Sequence, residues 1–166
     1  MNRKIYAAIG IFAAVYFVII SFSINRPIMG ATTDYTIAAP LLHGGAPIPE
    51  HYGSDFGYWH PPLFVLMLGR TMHAFGVSDA AQRLIGIGSF LANLFLLAFI
   101  ITALSGKNAV KEAVAGLALY ALSPYGIQSS MVLEIDTTIL ISLILLFVLC
   151  FIKTWRAMNL KTVLLQ

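Results

Sequence analysis

The chain has 166 residues, of which 59% are hydrophobic and 10% charged, with a mean hydropathy of +0.86. A soluble domain carries about 25% charged residues, so the composition excludes that class and points to a membrane protein. The net charge of +3 is not gathered into any Lys/Arg run longer than two, which argues against a nucleic-acid partner, and the single cysteine, Cys150, excludes an intramolecular disulfide.

Ile5 to Ile24 is an uncharged apolar run. It is long enough to cross a hydrocarbon core of about 30 Å at about 1.5 Å of rise per residue. Ser21-Phe22-Ser23 offers the alternate small residues of a cleavage site. The apolar run exceeds the ~7–15 residues usual for a signal peptide, so an uncleaved anchor is predicted.

A polar loop, 25–83, follows and holds all four histidines, four of the seven acids and six of the seven prolines. Two short interfacial helices are predicted in it, over 33–42 and 61–75, separated by irregular chain over 46–59, where prolines and glycines interrupt any period. The 61–75 segment reaches only about 22 Å as a helix, short of a crossing. It carries Arg70 and His73 three apart, on one face with Leu66.

Three further spans are predicted: 84–104, 113–133 and 137–152. The third contains Ser123-Pro124, Gly126, Gln128, Ser129 and Ser130. Pro124 has no N–H, so the Tyr120 carbonyl loses its helical partner, and the outer half of this span should be irregular. Irregular backbone at that depth requires protein neighbours or a water-lined cavity. The expected fold is therefore all-α and integral to the membrane, with four transmembrane helices and a long exoplasmic first loop.

Charge sets the orientation. With the N-terminus in the cytoplasm, seven of the ten Lys/Arg residues lie inside: Arg3, Lys4, Lys107, Lys111, Lys153, Arg156 and Lys161. Arg26, Arg70 and Arg83 lie outside. This satisfies the positive-inside rule, and a multi-pass protein of the plasma (inner) membrane is expected. Of the acids, only Glu112 then lies inside.

Five residues are candidates for chemistry. Asp34 follows the first span and suits either an N-cap or a general base at the membrane surface. His60 stands before Pro61-Pro62. Pro61 drives it out of the helical region and Pro62 suits a first helical turn, so His60 is offered where a helix N-terminus attracts anions such as phosphate. A solvated His60 beside the interfacial aromatics Tyr58 and Trp59 is the plainer alternative. Glu134 and Asp136 close the third span and open the fourth; Asp136 alone would serve as an N-cap, but two acids at a membrane-facing mouth also suit a functional site. Arg83, at the outer end of the second span, either snorkels to the surface or pairs with phosphate. The histidines and acids show no dense metal-ligand spacing.

The order of these features resembles a known family. An acid soon after the first span (Asp34) is followed by Leu41-Leu42-His43-Gly44, His60-Pro61-Pro62-Leu63 and Phe75-Gly76-Val77-Ser78. Ala81-Gln82-Arg83-Leu84 and Ala121-Leu122-Ser123-Pro124 come next, and then Asp136. The pattern is similar to the N-terminal part of the GT-C glycosyltransferases, within them the protein O-mannosyltransferase and lipid A aminoarabinose transferase superfamily.

The resemblance implies a membrane enzyme that passes a sugar from a polyprenyl-phosphate donor to an acceptor outside the cytoplasm. It implies Asp34 as base for the acceptor hydroxyl, Asp136 as the second catalytic acid, and His60 near the donor phosphate, and Arg83 matches the family's arginine at the start of the second span; Arg83 and Glu134 are expected as further substrate contacts from their places at the span ends. Many members carry Asp-Glu at the first acid; here Tyr35 follows Asp34. A role of that Glu such as metal contact has no residue here, and a divalent metal stays open as a cofactor. Family members have more spans, so an N-terminal fragment is expected, completed by further helices or a partner subunit. A non-catalytic multi-pass subunit that binds lipid or partner helices is the alternative. A transporter fragment is a weaker one, because the charges collect at one surface rather than at mid-membrane.

Overall fold

The computed structural model describes residues 2–22, 62–76, 78–128 and 139–157. All regular structure among them is helical: α1 (Arg3–Ser21), α2 (Pro62–Phe75), α3 (Asp79–Leu104), α4 (Ala109–Ala121), α5 (Pro124–Gln128) and α6 (Ile141–Ala157). The long helix α3 is the hub and packs against α1, α2, α4 and α6. Among the described residues, two helices, α1 and α3, are long and apolar enough to cross a membrane.

The helix ends follow local chemistry. Asn2 caps α1 by accepting from the Lys4 N–H at 2.9 Å, and Ser78 caps α3 by accepting from Ala81 N–H at 3.1 Å. These side chains serve backbone donors that no helical carbonyl can reach. Gly76 closes α2: its φ is +84°, in the left-handed region, and its N–H donates to the Met72 carbonyl at 2.9 Å.

The Ser78 cap moves a boundary. The second span was expected to begin at Leu84, with Arg83 as the last loop residue. The helix instead begins at Asp79, so Arg83 lies in its second turn. The cap sets the start, and the first apolar residue of the run does not.

α2 begins at Pro62, as the Pro-Pro pair predicts. It does not lie isolated on a surface. Phe64, Leu68 and Met72, spaced four apart, are each fully buried, while Arg70 and His73 are exposed. This apolar stripe docks the helix on α3. The predicted helix over 33–42 and the irregular chain over 46–59 lie outside the described residues.

α3 and α4 form an antiparallel hairpin joined by residues 105–108. Ser105 Oγ donates to Glu112 Oε2 across its base. Higher up, Gly116 leaves room for the Ile101 side chain, which a Cβ there would overlap. Ala113, Leu117 and Ala121 of α4 are buried with Ile87, Phe90, Leu94 and Ala98 of α3 and with the inward face of α1. The alanines in this seam allow close helix approach, which favours packing inside a membrane.

The expected third span, 113–133, is not one continuous helix. α4 stops at Ala121, residues 122–123 turn, and α5 starts at Pro124. Ser123 organises the break. Its N–H and Oγ both donate to the Tyr120 carbonyl, at 3.1 and 2.7 Å, replacing the donor that Pro124 lacks. Its Oγ also accepts from Gly126 N–H at 3.0 Å, so Ser123 is the N-cap of α5 and Pro124 its first residue. α6 begins at Ile141 after a wide turn at Ile139–Leu140; residues 129–138, which hold the start expected at 137, lie outside the described set.

Many large apolar side chains face outward, among them Ile11, Phe17 and Val18 on α1, Phe99 on α3, and Ile144, Phe147 and Phe151 on α6. In water this much exposed apolar surface would drive association. Hydroxyls in the helices bond back to their own turn instead: Ser21 to the Val18 carbonyl, Thr71 to Met67 and Thr102 to Ala98, at 2.7–2.8 Å. Such back-bonding satisfies the hydroxyl within its own helix.

Candidate functional site

Four of the five residues singled out from the sequence, Asp34, His60, Glu134 and Asp136, lie outside the described residues. The fifth, Arg83, is 2% exposed, so it is enclosed by the protein rather than spread over an open surface. Among the described residues, Arg70 on α2 is an exposed cation. Among the described residues, no three of the His, Cys, Asp and Glu side chains converge as a metal site would require.

The polar chemistry that the structure does bring together lies on α3. Gln82, Ser89 and Asn93 are 5%, 7% and 0% exposed. At about 100° per residue, positions 82, 89 and 93 fall within about 40° of arc, so they form one inward stripe with Gly86 between them. The stripe is about 16 Å long, from the N-terminal end of α3 to its middle.

At its inner end Asn93 Nδ2 donates to the Tyr120 hydroxyl at 2.8 Å. Beside this pair three rings stack across three helices. Tyr16 of α1 lies on Phe90 of α3 with centroids 3.6 Å apart and planes 10° apart. Phe90 in turn lies on Tyr120 of α4 at 5.5 Å and 22°. Each stacked pair contributes about 0.5–1.5 kcal/mol beyond its buried area. Gly126 of α5 closes the arrangement, for a Cβ there would run into the Tyr120 carbonyl and touch Phe90.

Two acceptors in the stripe, Gln82 Oε1 and Asn93 Oδ1, are buried with no hydrogen-bond partner among the described residues. Leaving such a group unpaired costs about 1–3 kcal/mol, so each calls for an explanation. The sequence reading did not single out these residues. The signal was present: Gln82, Ser89 and Asn93 follow an i, i+7, i+11 spacing on a helix whose other residues from 84 to 104 are mostly apolar. The chemistry of the stripe is that of neutral amides and hydroxyls. It can hold a hydrogen-bonding molecule in place but offers no nucleophile, acid or base of its own.

Compared with protein-family models, curated proteins and solved structures, the chain matches none.

Proposed function

We propose that this chain is the N-terminal part of a membrane-embedded glycosyltransferase that passes a sugar from a polyprenyl-phosphate donor to an acceptor on the exoplasmic side. It crosses the membrane four times, with the N-terminus in the cytoplasm. The base is Asp34, the second acid Asp136, and the donor is held by His60, Arg83 and Glu134. The phosphate is already a good leaving group, so the enzyme needs chiefly a base, placement and compensation of the departing charge.

The observation that carries this reading is the start of α2 at Pro62, two residues after His60 in the sequence. A 14-residue helix beginning there has the positive end of its dipole two residues after His60 in the sequence, and such an end favours anions. Two further features support it. Arg83 is a buried cation one helix along, and the helix break at Ser123-Pro124 falls inside the Ala121-Leu122-Ser123-Pro124 stretch that shares in the resemblance.

The test is sugar transfer by the full-length protein carrying Asp34→Asn. Transfer should be lost while membrane insertion is unchanged. Transfer at the unsubstituted rate would remove Asp34 as the base. Absence of transfer by the unsubstituted protein, across polyprenyl-phosphate donors, would favour the non-catalytic subunit.

A further inference from the structure

We infer that the Gln82–Asn93 face of α3 is a water-binding line that brings hydration from the exoplasmic end of the helix to mid-membrane. The inference rests on the membrane reading above but not on the transferase chemistry.

Three observations carry it. The stripe is continuous: Gln82, Gly86, Ser89 and Asn93 share one buried face over about 16 Å, roughly half of a ~30 Å hydrocarbon core. It has acceptors to fill, because Gln82 Oε1 at the outer end and Asn93 Oδ1 at the inner end have no partner among the described residues. It also has a donor, because Tyr120 accepts from Asn93 Nδ2 and so keeps its own O–H free to donate.

The chemistry selects the ligand. Gln82, Ser89 and Asn93 carry no charge, and their open sites are amide oxygens, which reject a phosphate or carboxylate. A bound molecule must donate hydrogen bonds and must be small, since Tyr16, Phe90 and Tyr120 fill the space beside Asn93 with stacked rings. Water meets both conditions. Buried polar groups without protein partners are the places where proteins hold ordered water.

The inner end of the line lies where it is needed. Asn93 is bonded to Tyr120, whose carbonyl takes both hydrogen bonds of the Ser123 break. Non-helical backbone at membrane depth persists only within protein or beside water. Hydration along α3 would provide that surrounding for residues 122–123.

The test uses the full chain in membranes with Cys150→Ala, which removes the single native cysteine. Ser89→Cys places a thiol on the stripe, and Gly88→Cys places one on the exposed face at the same depth, where a Cβ meets nothing within 4 Å. Silver ion, close to water in size, is added from the exoplasmic side; protected thiols are then counted by maleimide labelling after denaturation. Thiols react as thiolates, which form in water and not in hydrocarbon. The expected result is protection at Ser89→Cys at least tenfold faster than at Gly88→Cys. No protection at Ser89→Cys, with Gly88→Cys also silent, overturns the water line and leaves the membrane reading intact. Equal rapid protection at both overturns the line together with the membrane reading, because the outer face would itself be in water.

Discussion

Asn93 and Tyr120 meet at matching heights on the α3–α4 hairpin. Each stands 11 residues from the end of its helix at the 105–108 turn, Leu104 and Ala109 respectively, and the amide of one donates to the hydroxyl of the other at 2.8 Å. Both side chains are therefore held about 16 Å from the turn. The bond fixes the register of two helices that otherwise present mainly alanine and leucine to each other.

Tyr120→Phe keeps the ring stack and removes only the hydroxyl. The Asn93 Nδ2 group then loses its acceptor, and stability in detergent should fall by about 0.6–2 kcal/mol. Adding Asn93→Leu to that variant should recover part of the loss, because both polar partners are then gone. Unfolding titrations in mixed micelles of the single and double variants would show this; a Tyr120→Phe protein as stable as the original would contradict the role given to the bond.

Ser123→Ala removes the hydroxyl donor to the Tyr120 carbonyl, leaving the backbone N–H, and removes the acceptor for the Gly126 N–H in one step. The loss of a cap alone costs about 0.5–2 kcal/mol. Amide exchange at Gly126 should accelerate in parallel, and unchanged exchange there would argue that α5 is held by other means.

Gly126→Ala should be more damaging than its size suggests. The new methyl meets the Tyr120 carbonyl, which is backbone and cannot rotate away, and it touches Phe90 at 3.4 Å. Overpacking of this kind costs about 1–3 kcal/mol. Gly116→Ala is the comparison, since there the methyl meets only the end of the Ile101 side chain, which can turn aside. Thermal unfolding of the two should rank Gly126→Ala clearly lower.

Gly76→Ala forces a side chain into φ +84°, at a cost of about 1 kcal/mol or more. Gly88→Ala, in open space on helix α3, should be neutral or stabilising by up to about 1 kcal/mol. Equal effects at the two sites would mean that Gly76 does not hold the end of α2.

Topology has its own measurement. In the Cys150→Ala background, Ser54→Cys should label with an impermeant maleimide from outside intact cells, whereas Lys107→Cys should label only after permeabilisation. The reverse pattern would invert the orientation drawn from the charge count.

Legibility in the sequence varied with how local the cause was. The start of α2 and the break after Tyr120 follow from prolines, whose missing N–H acts within one turn. The start of α3 precedes the expected Leu84 by five residues because the Ser78 cap sets it, and an uncharged apolar run does not mark a cap. The role of Asn93 was not legible, since it depends on which residue of α4 lies opposite, and that register is set by the 105–108 turn and the alanine seam. Of the five residues of the proposed site only Arg83 falls among the described residues, and its burial is a tertiary property that no spacing reveals.

The shortness of α4 has a consequence for the proposed four-span topology. Thirteen residues rise about 20 Å, too little to halt in the bilayer as a separate stop-transfer segment. α3 is long enough, and a four-residue turn ties the two together. On the four-span topology proposed above, the pair would leave the translocation machinery as one helical hairpin, α4 carried in by its neighbour.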